Sequence, residues 1–149
     1  MSFSIECSRL LDSMFCTPTL FSLCGELKAW GVEPTFEVGQ VVGRGFADVG
    51  SEEFLVLPGP KILSLTAGTV KELPDEHRDF FFWIPTEDEC ARLLDLAGVS
   101  NITVTREAAR KWIVSTQRNG EVVETAERSL RLALIQMLIE IKKQIAKGS

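Results

Sequence analysis

Apolar residues near the start of the chain recur with the three- and four-residue spacing of helices. One face of a first predicted helix is formed by Phe3, Cys7, Leu10, Leu11 and Met14. Thr17-Pro18 interrupts this helix, because proline suits the first turn of a new helix and Thr17 can cap it. The apolar face of the second predicted helix is formed by Leu20, Leu23, Cys24, Leu27 and Trp30. Gly31 is placed to end it.

Between Pro34 and Leu73 the pattern changes to short runs rich in β-branched residues, with glycine and proline at intervals. Pro58-Gly59-Pro60 separates two apolar runs, Phe54–Leu57 and Ile62–Leu65. This alternation of apolar runs and turn residues predicts a β-meander of three or four strands. Four glycines in this region are interpreted as turn or bulge residues: Gly39, Gly43, Gly45 and Gly50.

The next part of the chain predicts a buried strand followed by a capped helix. Phe80–Ile84 is apolar at every position, which favours a central strand covered on both faces or an oligomer interface. Thr86 and Glu89 have the spacing of a capping box. The apolar face of the helix that follows is formed by Cys90, Leu93, Leu94 and Ala97. Gly98 is predicted to end this helix.

The last third of the chain predicts three antiparallel strands and a long helix. Ile102–Thr105 and Lys111–Thr116 are the first two strands, and Asn119-Gly120 is a strong hairpin signal that turns the chain into a third, Glu121–Glu124. The helix is predicted to start at about Thr125. Its apolar stripe is formed by Leu130, Leu134, Met137, Leu138, Ile141 and Ile145.

This order of elements predicts an α+β fold in which an antiparallel sheet is packed by helices, as a helix–sheet–helix sandwich with an N-terminal helical pair and a β-meander. The chain of 149 residues has the size of one globular domain. The sequence is also compatible with two closely packed halves. Residues 1–73 would contain the helices and the meander, and residues 74–149 would have the order β-α-β-β-β-α. The hinge between them would be Leu73–His77.

Four features of the second half follow one another in a pattern that resembles a known family. They are Pro85-Thr86 opening a helix that reaches Leu93-Leu94-Asp95, the tryptophan-bearing strand Lys111–Val114, the hairpin residue Gly120, and a closing helix with small residues at Thr125-Ala126, Ser129 and Ala133. They resemble the phage-type ABA sandwich domain proteins, a family without an assigned activity. The resemblance covers the second half alone. It implies a three-layer helix–sheet–helix sandwich and a phage or prophage origin, and it supplies no functional residues.

A second resemblance concerns the order helix, three strands, helix between Pro85 and Gln144, which is also that of a double-stranded RNA-binding domain. That family grips phosphates with a lysine-rich start to its second helix. Here Glu124 and Glu127 accompany Arg128 and Arg131 in the equivalent stretch. RNA binding is therefore the third of three functional hypotheses.

Composition narrows the choice of partners. The net charge is −5, which argues against nucleic acid as a partner, because phosphate binding depends on clustered Lys and Arg. No apolar stretch is long enough to span a bilayer, and the N-terminus is not of signal-peptide type. The four cysteines, Cys7, Cys16, Cys24 and Cys90, lack CxxC spacing and indicate reduced thiols in the cytoplasm. A mean hydropathy of +0.11 favours self-association.

The chain contains a single histidine, which limits the catalytic groups that it can form. His77-Arg78-Asp79 spells the HRD of a kinase catalytic loop, but Ile84 occupies the position that would require asparagine. A cysteine nucleophile would have to use His77 as its base, with Cys16 the thiol best placed beside a helix start. Carboxylates at Glu87-Asp88-Glu89 suit a helix N-terminus. We therefore assign no catalytic residue, no metal ligand and no cofactor.

Three functional hypotheses follow. The first is a non-enzymatic accessory or interaction protein, phage-derived, that forms a homodimer or binds a protein partner. The second is a small-molecule-binding protein or enzyme with a pocket between the two halves near Arg44, His77 and Cys16. The third is the RNA-binding module. The absence of a catalytic constellation favours the first and leaves the question of enzymatic activity open.

Overall fold

The computed structural model describes residues 18–46 and 50–148. Within them, the second predicted helix is confirmed as α1, Pro18–Ala29. The residues of its predicted apolar face that are buried are Leu20, Cys24 and Leu27. A turn at Trp30-Gly31 follows the helix. The first predicted helix lies outside the described residues, and so do Cys7, Cys16 and the predicted cap Thr17.

The chain is divided into two compact units. The first comprises Met1–Gly25 and Glu33–Ile84, and the second comprises Glu26–Val32 and Pro85–Ser149. The predicted hinge at Leu73–His77 lies inside the first unit, because the strand that follows it pairs with that unit's sheet.

The first unit contains a five-stranded antiparallel sheet, and the predicted meander forms four of its strands. These strands are β1 Val41–Phe46, β2 Gly50–Leu57, β3 Lys61–Ser64, β4 Val70–Glu72 and β5 Phe82–Trp83. Their order across the sheet is β4-β3-β2-β1-β5. Pro58-Gly59-Pro60 forms the turn between β2 and β3, as the sequence predicts.

The prediction of a central strand over Phe80–Ile84 is wrong. Residues Asp75–Phe80 form a 3-10 helix, and β5 is a two-residue edge strand paired with β1. Phe80 is 65% exposed, whereas Phe81 is 1% exposed and buried in the core of the unit. Pro85 offers no amide hydrogen for further pairing, which limits the length of the strand.

Gly43 lies inside β1 and is required there by close packing, which corrects its interpretation as a turn or bulge residue. A Cβ atom at this position would lie 2.8 Å from Ile84 Cδ1 and 2.9 Å from both Phe21 Cε1 and Phe82 Cε2. Gly45, two residues along the same strand, has nothing within 4 Å of its Cβ position. Close packing therefore requires glycine at position 43 but not at position 45.

The substitution Gly43→Ala is expected to lower the free energy of unfolding by about 2 kcal/mol, because two aromatic rings and an isoleucine must shift together. Gly45→Ala is the matched control and is expected to change stability by less than about 1 kcal/mol. Urea denaturation followed by circular dichroism measures both. Equal losses in the two variants would contradict the packing role of Gly43.

The second unit has the predicted order of helix, three strands and helix. Its elements are α2 Glu87–Leu96, β6 Ile102–Ala108, β7 Lys111–Arg118, β8 Glu121–Glu127 and α3 Leu130–Gly148. The strands form a separate antiparallel sheet in the order β6-β7-β8. Helix α3 packs against β7, β8 and α2. The α+β class, with antiparallel strands packed by helices, is confirmed.

Two local signals in this unit act as the sequence predicts. The Thr86 hydroxyl accepts a hydrogen bond from the Glu89 amide at 3.2 Å, and the Glu89 carboxylate accepts one from the Thr86 amide at 3.0 Å. Asn119 and Gly120 both have positive φ, 53° and 81°, which is the conformation of a tight turn that matches the twist of its flanking strands.

Helix α3 starts later than the predicted Thr125. Residues through Glu127 remain in β8, where Thr125 pairs with Val114. The Ser129 hydroxyl accepts a hydrogen bond from the Leu132 amide at 3.1 Å and so caps the helix. The buried Thr125 hydroxyl donates to the carbonyl of Ala133 at 2.9 Å, which ties the end of β8 to the first turn of α3.

Helix α3 is buried over a wider surface than the predicted stripe. Besides Leu134, Met137, Leu138 and Ile141, the buried residues include Leu132, Ala133, Ile135 and Ile139. The helix needs a second apolar surface because it packs against both the sheet and α2. Ile145, the last residue of the predicted stripe, is 38% exposed.

Candidate functional site

The three predicted pocket residues have different locations. Arg44 is a half-buried residue of β1. His77 is exposed on the 3-10 helix, where its ring centroid lies 5.8 Å from that of Phe80. Both belong to the first unit. Cys16 lies outside the described residues, so its predicted pairing with His77 stays a prediction.

Arg44 belongs to a group of cations and rings that we call the cation–aromatic cluster. Its members are Arg44, Lys71, Arg78, Phe36, Phe54 and Phe81. The Arg44 guanidinium carbon lies 5.2 Å from the centroid of Phe54 and 5.5 Å from that of Phe81. Lys71 Nζ lies 5.4 Å from the centroid of Phe54. These distances are those of cation–π attraction.

The rings of the cluster contact one another edge to face. Phe81 packs against Phe54 at 5.6 Å and against Phe36 at 6.3 Å between centroids. Arg78, the residue after His77, lies over the ring of Phe36 with its guanidinium carbon 5.1 Å from the centroid. Asp75 lies beside this arginine, with 3.3 Å between its Oδ1 and Arg78 Nε. The cluster therefore joins the 3-10 helix to the sheet.

The buried side chain of Gln40 fixes Phe36 in this cluster. Its Oε1 accepts a hydrogen bond from the Phe36 amide at 3.0 Å, and its Nε2 donates to Thr35 Oγ1 at 2.6 Å. Phe36 has a φ of 58°, a left-handed conformation that a bulky residue adopts only where its surroundings hold it. This loop stabilises the aromatic core.

The chemistry of the cation–aromatic cluster suits stability better than reaction. The six members of the cluster include no carboxylate, thiol, hydroxyl or imidazole that could act as a nucleophile or general base. Of the six members of the cluster, the sequence predicts only Arg44 as a site residue. Lys71, Arg78 and Phe36 were missed, because they meet Arg44 through strand pairing and loop closure, which no local pattern indicates.

Residues 18–46 and 50–148 offer no metal site and no membrane-spanning helix. No group of three or more His, Cys, Asp and Glu side chains among them has the arrangement of a metal site. None of the helices in this part of the chain is long and apolar enough to cross a membrane.

The edges of the two sheets provide a different kind of candidate site. An edge strand exposes unpaired backbone groups, so natural sheets protect their edges with short strands, bulges and charged residues. In the first unit, β4 has three residues, of which Lys71 and Glu72 are charged. The other edge strand of that sheet, β5, has only two residues. Both edges are protected.

In the second unit, the two edge strands differ in charge. Strand β8 carries Glu121, Glu124 and Glu127, which would repel the same strand of another copy. Strand β6 starts with four β-branched, uncharged residues, Ile102–Thr105, which we call the open half of β6. Among the described strands, β6 pairs with β7 alone. The open half is therefore the one stretch of described sheet edge that has none of these protections.

The remainder of β6 is protected. A bulge lies between Arg106 and Ala108. The Arg106 guanidinium carbon lies 5.4 Å from the ring centroid of Trp112. Lys111 Nζ lies 2.9 Å from a carboxylate oxygen of Glu107, and this hydrogen-bonded ion pair raises the pKa of Lys111. Irregular pairing and charge thus confine the exposed edge to the open half.

The open half also exposes apolar surface. Strand register places Val104 directly opposite Val114, which is fully buried. Directly opposed residues share one face of a sheet, so Val104 and Ile102 lie on the face that contains Val114. Val104 is nevertheless 41% exposed. A strand added beside β6 would cover this side chain.

Comparison with known proteins adds no assignment to this geometry. No protein-family model, no curated protein and no solved structure matches the chain.

Proposed function

We propose that this protein is a non-enzymatic accessory protein that acts by binding polypeptide and that forms a homodimer through the open half of β6. The single observation that carries the proposal is this uncharged, β-branched and exposed sheet edge, beside edges that are short or charged. A cytoplasmic location and a phage origin belong to the same proposal and rest on the four cysteines and on the pattern of the second half.

Strand addition is the mode of binding that this edge favours. An extended polypeptide beside β6 would satisfy the outward backbone groups of that strand and continue the sheet. The added strand would also cover the exposed part of Val104. Backbone hydrogen bonds and apolar burial therefore act together at the same four residues.

The substitution Val104→Lys is expected to convert a dimer into a monomer, because it places a charge on the edge that must be covered. Multi-angle light scattering at micromolar concentration measures the mass. The unsubstituted chain is expected at about twice the chain mass of 16.5 kDa, and the variant at about the chain mass itself.

Val122→Lys is the matched control, because Val122 is 70% exposed on the opposite edge strand, β8. This variant is expected to keep the dimer mass. Far-ultraviolet circular dichroism of both variants separates loss of association from loss of fold. A mass of 16.5 kDa for the unsubstituted chain, or dissociation by the Val122 substitution alone, would overturn the proposal.

A further inference from the structure

We infer that the second copy pairs antiparallel to β6 with Thr103 opposite the partner subunit's Thr103, so that the two three-stranded sheets become one sheet of six strands. This inference rests on the proposed homodimer and adds the geometry of its interface. It is carried by the distribution of charge, apolar residues and the bulge along β6.

The pairing of a strand with its own copy restricts the possible registers. A twofold axis through the sheet must pass beside one residue, which then faces itself, while its neighbours on either side face each other. With the axis at Thr103, Ile102 faces the partner's Val104, and Asn101 faces the partner's Thr105. Each of these pairs is uncharged, and the two apolar side chains meet on the face that contains Val114.

With the axis at Ile102, Val104 would face the partner's Ser100, which lies outside β6, so the two apolar side chains would not meet. The registers shifted the other way bring charge and irregular backbone into the interface. With the axis at Val104, Ile102 would face the partner's Arg106. With the axis at Thr105, Val104 would face the partner's Arg106, and Thr103 would face the partner's Glu107. Both registers also approach the bulge between Arg106 and Ala108, where regular pairing is interrupted. The axis at Thr103 keeps these charged pairs and the bulge out of the interface.

A charge exchange at Thr103 tests this register. The side chain is exposed, and it lies on the face opposite the buried Val114, so charged substitutions there are compatible with folding. Thr103→Glu and Thr103→Lys are each expected to raise the dimer Kd about fivefold or more, because like charges would face each other across the axis. An equimolar mixture of the two variants is expected to form a heterodimer with a Kd near that of the unsubstituted chain.

Thr105→Glu is the matched control, since its predicted neighbour is the partner's uncharged Asn101. This variant is expected to keep the Kd within about twofold. Sedimentation velocity measures the dimer Kd of the three variants, of the mixture and of the unsubstituted chain. A Thr103→Lys variant that dimerises more tightly than the unsubstituted chain would indicate the axis at Thr105, where the lysine meets the partner's Glu107, and would overturn the inference. A mixture no tighter than its components would also overturn it.

A disulfide across the axis provides a second readout. Thr103→Cys is expected to form a covalent dimer when diamide oxidises the two facing thiols to one disulfide, because directly opposed strand residues have the Cα separation that a disulfide requires. Thr105→Cys and the unsubstituted chain, which contains Cys7, Cys16, Cys24 and Cys90, are the controls. A monomeric unsubstituted chain refutes the homodimer itself. A non-covalent dimer that Thr103→Cys does not cross-link refutes the register alone.

Discussion

Replacement of Phe81 by alanine is expected to lower the free energy of unfolding by about 4 kcal/mol. The ring is buried and packs edge to face against Phe54 and Phe36, and the Arg44 guanidinium lies over it. Its removal would leave a cavity in the core of the first unit and would also take one aromatic partner from the arginine. Core burial, ring contacts and cation–π attraction all act in the same direction here.

The adjacent Phe80 is the matched control. It has the same side chain but is exposed at the end of the 3-10 helix, so Phe80→Ala is expected to cost less than about 1 kcal/mol. Urea denaturation followed by tryptophan fluorescence compares the two variants. Similar losses of stability at the two positions would contradict the placement of Phe81, and not Phe80, in the core.

The second large effect is expected in helix α3. Ile139→Ala should lower the free energy of unfolding by about 3 kcal/mol, because Ile139 is fully buried in a helix that packs against both the sheet and α2. Ile145→Ala removes the same atoms from a partly exposed position of the same helix. Both substitutions gain the same helix propensity, so the difference between them isolates burial.

Thermal unfolding followed by far-ultraviolet circular dichroism is the measurement for this pair. The Ile145 variant is expected to melt close to the unsubstituted chain, and the Ile139 variant clearly below it. Equal decreases in the two melting temperatures would contradict the assignment of a second buried surface to α3.

Signals contained within a few consecutive residues were sufficient for the parts of the fold that the sequence predicts well. Thr86 and Glu89 bond to each other within one helical turn, and Asn119-Gly120 closes a hairpin without help from distant residues. The meander was predicted for the same reason, because Pro58-Gly59-Pro60 marks its turn locally.

The errors occur where distant residues decide the structure. Ile139 is buried in a helix that packs against both the sheet and α2, and the periodicity of one stripe does not show this second covered surface. Phe80–Ile84 has the composition of a central strand, but the 3-10 helix before it and Pro85 after it leave two residues for pairing. Gly43 has no local signal for its role, since Phe21 and Ile84 reach it from remote parts of the sequence.

The candidate site shows the same difference between what local sequence predicts and what distant residues decide. The composition of Ile102–Thr105 predicted a strand, and that strand is confirmed. Its importance as an exposed edge depends on the strand order β6-β7-β8, which a single sequence does not specify. The sequence predicts Arg44 as a pocket residue, but the rings beside it depend on the register of β1 with β2 and on the path of the loop at Phe36.

Backbone hydrogen exchange, measured residue by residue at low and high protein concentration, tests the central claim that β6 is the dimer edge most directly. A homodimer through the open half of β6 predicts that amides within Ile102–Thr105 exchange more slowly as concentration rises, while those of Glu121–Glu127 in β8 do not change. Exchange in β6 that is independent of concentration, or concentration-dependent protection confined to β8 or β4, would contradict it.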